Sequence, residues 1–240
     1  MMSCCPPKSH PFLDNSEYQC KGTLEKVDDL EMYVSGSGEK CVIWNYDIFG
    51  FDGGRTRQNV DLLASYGFMV ILPDYYRGFF ITPTDPGLVD HIKNYPYSKL
   101  EPDVNRVLNF ARSRGAKVFG SMGTCWGSYL VIKLSALPDF KAGISMHPSH
   151  PKMMMLLEES EEDAYKEVNC KQLFMSAGND HENLFPGGLA EKVLGDTLTI
   201  EEFPDMSHGW SMRADLSDAK NKRDVDRAVN LYLEFFNSNM

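Results

Sequence analysis

The chain reads as an α/β fold: a mostly parallel central sheet covered by helices on both faces. Three observations carry that reading. Short, continuously apolar runs such as Cys41-Val42-Ile43-Trp44 and Phe68-Met69-Val70-Ile71-Leu72 suit strands buried on both faces. They alternate with segments of helical period, the pattern of strand–helix–strand units. The 240 residues, 42% of them hydrophobic, can bury the core of one such domain.

Taken in order, residues 1–17 read as a flexible N-terminal tail and 18–240 as a single domain. Gly22 to Ser37 alternates and is punctuated by glycine, which suits an antiparallel pair at the sheet edge. Strands follow at 41–46 and 68–72, with a helix from Arg55 to Tyr66 between them. Tyr75 to Glu101 reads as a long loop, rich in proline, glycine and aromatics, able to form a pocket wall. Asp103 to Arg114 reads as a helix, 117–120 as a short buried strand and 128–134 as a helix. Strands at 142–146, 172–177 and 198–203 and a closing helix from Asp218 to Phe236 complete the pattern.

The most informative segment is Gly123-Thr124-Cys125-Trp126-Gly127, between a strand and a helix. Gly-x-nucleophile-x-Gly in that context is the nucleophile elbow of the α/β-hydrolase fold, with a thiol where serine is usual. The glycines two before and two after the nucleophile answer a steric need, because the turn brings neighbouring backbone too close for a side chain. The start of the following helix, with its partial positive charge, favours a thiolate.

A nucleophile needs a base and the base an orienting acid, in the chain order nucleophile, acid, histidine. Asp180 follows the strand 172–177 in a Gly-Asn-Asp turn, and His208 lies in the loop after the strand 198–203. The expected triad is Cys125, Asp180 and His208. Asp205 is an alternative acid but stands too near His208 in sequence. His181 is on the wrong side of the last strand, and His10, His91, His147 and His150 read as solvated loop or tail residues. For the oxyanion hole the backbone N–H groups of Trp126, after the nucleophile, and Ile48, after the strand at 41–46, are the expected donors.

Asp47-Ile48-Phe49-Gly50, Pro73-Asp74-Tyr75-Tyr76-Arg77-Gly78, Gly123-Thr124-Cys125-Trp126-Gly127, Ala177-Gly178-Asn179-Asp180 and Ser207-His208-Gly209-Trp210 occur in that order. Together they resemble the dienelactone hydrolase (carboxymethylenebutenolidase) family from about Tyr18 to the C-terminus. The resemblance implies opening of a lactone or small ester through a thioester acyl-enzyme, without cofactor or metal. It implies that Asp47, at the family's acidic position, tunes the thiol, and that Arg77 and Arg213 hold a substrate carboxylate. Bacterial members usually carry Glu where Asp47 stands. Ser128 replaces a glycine found in many members, and Arg213 lies one residue further from the histidine than in bacterial sequences.

A net charge of −10 argues against nucleic acid, whose phosphates require a basic footprint. The acidic run 158–163 reads as a solvated helix start. No apolar stretch approaches the ~18 residues of a membrane span. The N-terminus lacks a basic start and an apolar core, so a secretory signal is not expected, and the six irregularly spaced cysteines fit a reducing cytoplasmic compartment. Cys4 and Cys5 could form a metal or redox site with Cys20, but no C-x-x-C pair exists, and the two read as residues of a floppy tail instead. The partner expected is a small ester or lactone bearing a carboxylate. A small-molecule receptor or redox sensor on the same fold is the alternative.

Overall fold

A computed structural model describes residues 5–240. In chain order the elements are β1 (Thr23–Val27), β2 (Leu30–Ser35), β3 (Lys40–Asn45), α1 (Thr56–Ala64), β4 (Met69–Pro73), α2 (Leu88–Lys93), α3 (Tyr97–Ser113), β5 (Val118–Cys125) and α4 (Gly127–Ser135). They continue with β6 (Phe140–Pro148), α5 (His150–Leu156), α6 (Glu161–Lys166), β7 (Lys171–Ala177), α7 (Leu189–Leu194), β8 (Leu198–Phe203), α8 (Trp210–Arg213) and α9 (Ala219–Asn239).

Among the described residues the strands form one sheet in the order β1-β2-β4-β3-β5-β6-β7-β8. β1 and β2 pair antiparallel, as does β2 with β4, and every other neighbour is parallel. The burial explains the sequence pattern. All five residues of β4 are buried, as are all but the first of β3 and β5. The edge strands β1 and β8 are largely open to solvent on one side. Apolar residues therefore run continuously in the middle of the sheet and alternate at its margins.

The parallel register sets the strand ends in one row. Asn45, at the end of β3, pairs with Gly123 of β5. Its side-chain amide also donates to Met122 O at 3.0 Å and to Ser121 Oγ at 3.1 Å, welding the two strand ends whose loops carry the site. The long helix α9 closes one face through Ala228, Tyr232, Leu233 and Phe236. Asp218 caps it, accepting from the Lys220 and Asn221 backbones at 2.8 and 3.1 Å, a contact worth about 1 kcal/mol.

Two expectations change here. The stretch Tyr75 to Glu101 is not one loop: it contains α2, and α3 begins at Tyr97 rather than Asp103. Pro96 supplies the extended entry to α3, and Tyr129 Oη accepts the Tyr97 N–H at 2.9 Å, so the helix starts before Pro102. The acidic run does start a helix, α6, with Ser160 Oγ accepting the Asp163 N–H at 3.2 Å.

Candidate active site

Cys125 is the last residue of β5, and its φ of 50° lies in the left-handed region. A non-glycine residue there is strained and persists only where its surroundings impose the conformation. The surroundings do so. A side-chain carbon at Gly127 would stand 2.2 Å from Asn45 O, and one at Gly123 would stand 2.4 Å from Gly127 O. Bare glycines thus let the end of β3 and the start of α4 close on the turn. Ser128 fastens it: its Oγ donates to Cys125 O at 2.6 Å and accepts the Ser149 and His150 N–H groups, each at 3.0 Å.

Asp180 and His208 leave the ends of β7 and β8. Asp180 Oδ2 accepts the Ala177 N–H at 2.7 Å, and Oδ1 meets His208 Nδ1 at 2.6 Å. Both side chains are fully buried. Asn179 Oδ1 accepts the His208 backbone N–H at 2.7 Å, which fixes the loop that carries the ring. A ring nitrogen of His208 lies within 4.8 Å of the Cys125 sulfur. Ser149 Oγ lies 3.4 Å from Cys125 Sγ and 3.4 Å from His208 Nε2. Burial by itself would lower the proton affinity of His208. The Cys125 thiolate and the Asp180 carboxylate outweigh it and hold the imidazole well above its ordinary range.

Of the two expected oxyanion donors, Ile48 lies just beyond β3 and Trp126 just beyond Cys125. Ile48 O accepts the Ile81 N–H at 3.0 Å, which holds that loop in place. The Trp126 ring is buried against Tyr46, Tyr75, Tyr76 and Tyr95, with Tyr46 stacked at 5.7 Å.

The arginines and Asp47 are arranged differently from one another. Asp47 Oδ1 accepts the Phe49 N–H at 2.9 Å, and Oδ2 is paired with Arg213 Nη1 in a fully buried ion pair. Arg213 also donates from Nε to His10 O at 3.1 Å and covers the Phe49 ring. Arg77 is directed elsewhere. It pairs with Asp29 at 3.0 Å and Asp103 at 2.8 Å and donates to Asp74 O at 3.1 Å, with its side chain 31% exposed.

Several residues at the site carry no signal in the sequence. Cys5 is buried, with its Sγ 3.7 Å from Cys125 Sγ. The segment that bears it, expected as a tail, crosses the His208 loop. Asn179 Nδ2 donates to Pro7 O at 2.8 Å, the His10 N–H donates to His208 O at 2.8 Å, and Phe12 packs on Phe49. Cys125 and His208 are completely buried. A cavity of about 630 Å³ lies between this segment, Phe49, Thr82–Thr84 and Lys152. Residues 1–4 of the expected tail, Cys4 included, lie outside the described residues. Arg55 is also buried, with Nε and Nη2 lacking hydrogen-bond partners among the described residues.

His147 and His150 are corrections to the sequence reading. Both are completely buried: His147 within β6, bonded to Ser211 Oγ at 2.8 Å, and His150 at the start of α5, bonded to Tyr165 Oη at 2.6 Å. Burial lowers both, His150 to about 3 from 6.5 and His147 well below its ordinary value. A depressed histidine contributes its full stability above the unfolded value and loses it as pH falls toward the folded one. For His150 the window is therefore pH 6.5 down to about 3. His150→Gln keeps a donor for Tyr165 but cannot titrate, so its stability should fall less steeply through that window, by about 1.4 kcal/mol per pH unit. Chemical denaturation at stepped pH reads this, and parallel slopes for the two proteins would contradict it.

The strand order, the elbow after β5 and the loops after β7 and β8 define the α/β-hydrolase class. Residues 32–240 match the dienelactone hydrolase family, and the chain belongs to it. An AIM2 family protein of Schizosaccharomyces pombe is 29% identical over 262 residues, covering 100% of both chains. A carboxymethylenebutenolidase homolog of Xenopus tropicalis is 29% identical over 217 residues, covering 83% of each. A crystal structure from Klebsiella pneumoniae that bears the dienelactone hydrolase name shares the fold with a TM-score of 0.66 at 19% identity, covering 86% of this chain and 92% of that one. No helix of the described residues is long and apolar enough to cross a membrane.

Proposed function

We propose that the chain is a cysteine-dependent hydrolase that cleaves a small ester or lactone, carboxylate-bearing, through a thioester acyl-enzyme. The observation that carries this reading is the strained Cys125 at the strand end, facing an imidazole whose far nitrogen is held by Asp180 at 2.6 Å. Each group then has a task. The Cys125 thiolate attacks the carbonyl carbon, and the backbone N–H groups of Ile48 and Trp126 stabilise the oxyanion. The His208 imidazolium gives its Nε2 proton to the leaving oxygen. The neutral ring next takes a proton from water, whose oxygen attacks the thioester and frees the acid and Cys125. Asp180 keeps the proton on Nδ1 and balances the imidazolium charge.

The contacts favour Arg213 over Arg77 as the carboxylate-binding arginine. Both are paired, Arg77 with Asp29 and Asp103 and Arg213 with Asp47, but Arg213 also bonds the segment that crosses the His208 loop, whereas Arg77 makes no contact with a triad residue in its ion pairs. Asp47 then tunes the thiol through Arg213, since at rest it cancels a guanidinium field that would favour the Cys125 anion. Asp47→Asn should speed alkylation of Cys125 by iodoacetamide without substrate. The double variant Asp47→Asn/Arg213→Gln, which removes both buried charges together, should raise KM for carboxylate-bearing esters about 10- to 100-fold, the equivalent of ~1.5–3 kcal/mol. Neutral esters should change little. Equal losses on both substrates would remove Arg213 from recognition, and Arg77→Ala should give such equal losses.

Burst kinetics with an activated aryl ester test the reading. A rapid stoichiometric release of phenol followed by steady turnover is expected. Binding without release would make the chain a receptor instead.

A further inference from the structure

Cys5 and Cys125, 120 residues apart in the chain, bring their sulfurs to 3.7 Å. Two thiolates on one tetrahedral zinc ion, with Zn–S of about 2.3 Å, stand ~3.8 Å apart. The third candidate ligand is His208, whose ring nitrogen lies within 4.8 Å of both sulfurs, all three residues being buried.

The surroundings suit a metal as well as the spacing does. Asp180 holds Nδ1 of His208 at 2.6 Å, and a carboxylate behind a histidine is the support that zinc-ligating imidazoles ordinarily have, because it fixes the tautomer and raises ligand basicity. Ser149 Oγ, 3.4 Å from both Cys125 Sγ and His208 Nε2, gives the fourth position a polar neighbour. Cys5 is presented by a segment fastened to the two loops that bear the other ligand and its support: Pro7 O bonds Asn179, and the His10 N–H bonds His208 O. Two sulfurs and one imidazole select a soft or borderline cation over magnesium or calcium.

We propose that Cys5, Cys125 and His208 form a Zn²⁺ site with its fourth position open to water, and that its occupation switches the hydrolase off. Starting from a Cys5 thiol beside the Cys125 thiolate and the His208 imidazolium, binding releases two protons, one from Cys5 Sγ and one from His208 Nε2. The two thiolates neutralise the metal charge. The nucleophile and the base are then both ligands, so neither can act on an ester. The metal site itself stands independently of the hydrolase reading, whereas the inhibition rests on it.

The test uses the full chain, reduced with a phosphine and stripped with a chelator, and titrated with Zn²⁺ against a chromophoric chelator and with Co²⁺ for the visible absorption of tetrahedral thiolate coordination. One ion per chain is expected. Asp180→Asn should weaken binding about 10- to 100-fold, and Cys5→Ala and Cys5→Ser at least as much. The cobalt absorption should be lost in both Cys5 variants, with thermal unfolding recorded to verify that they fold. Suppression of ester hydrolysis by zinc, relative to each protein's own metal-free rate, should need at least about tenfold more free zinc in the Cys5 variants. Zinc bound equally well by folded Cys5→Ala, no stoichiometric zinc on the reduced wild type, or faster hydrolysis with zinc would each overturn the proposal. Zinc binding without metal-free hydrolysis would sink the hydrolase reading and the inhibition together while leaving the metal site, and hydrolysis without zinc binding the reverse.

Discussion

Cys125→Ala is expected to abolish ester hydrolysis while leaving the domain folded. The thiol is buried at the tip of the elbow, but losing one sulfur leaves only a small void and the turn is held by other groups: the bare glycines at 123 and 127, and Ser128 Oγ on Cys125 O at 2.6 Å. Removing the sulfur removes the atom to which the acyl group would be transferred, and no neighbouring group occupies the same point. Cys125→Ser should also be far below wild type. An alcohol must lose its proton to the base during attack, whereas a thiol gives up its proton far more readily and is intrinsically the better nucleophile. The check is steady-state hydrolysis of an activated aryl ester alongside a denaturation curve. Near wild-type turnover in a folded Cys125→Ala protein would remove Cys125 from the mechanism.

His208→Ala should have the second-largest effect, and the effect should be divided between the two halves of the reaction. Proton transfer by a positioned group contributes about 10²- to 10⁴-fold. Acylation by an activated ester has a good leaving group that needs little protonation, so it should be slowed least. Deacylation requires a base for water, so it should be slowed most. Rapid-quench measurements should therefore find a burst persisting while steady turnover falls by about 10²-fold or more. Retardation of neither phase in a folded His208→Ala protein would mean that His208 takes no part in the chemistry. Asp180 at 2.6 Å supports only one tautomer, so Asp180→Asn should act in the same direction.

The central architecture was legible because the physics that shapes it is local. A strand buried on both faces must be continuously apolar, and β4 and β3 announce themselves in that way. The elbow was legible for a steric reason, since Gly123 and Gly127 occupy positions where a side chain would meet backbone at 2.4 and 2.2 Å. Asp180 and His208 could be located because parallel strands deliver their C-terminal loops to one edge.

The remainder depends on contacts that no local pattern encodes. Pro148 and Pro151 made His147 and His150 look like loop residues. Instead Pro148 ends β6 and Pro151 enters the first turn of α5, where its missing N–H costs nothing. Arg77 stands at a familiar motif position, yet its partners Asp29 and Asp103 come from the β1–β2 turn and from α3. The placement of Cys5 depends on hydrogen bonds spanning 172 and 203 residues, from Asn179 to Pro7 and from Arg213 to His10. Nothing in the sequence near Cys5 distinguishes it from a solvated tail.

The most direct test of a thioester pathway is the mass of the protein during turnover. The enzyme is mixed with an activated aryl ester, quenched in acid at intervals, and its intact mass and proteolytic peptides are recorded. The account predicts one acyl group per chain, mapped to the peptide containing Cys125, that forms during the burst and decays at the steady-state rate. It also predicts that the adduct accumulates in His208→Ala. Full turnover with no covalent species, or an acyl group on a residue other than Cys125, would contradict it.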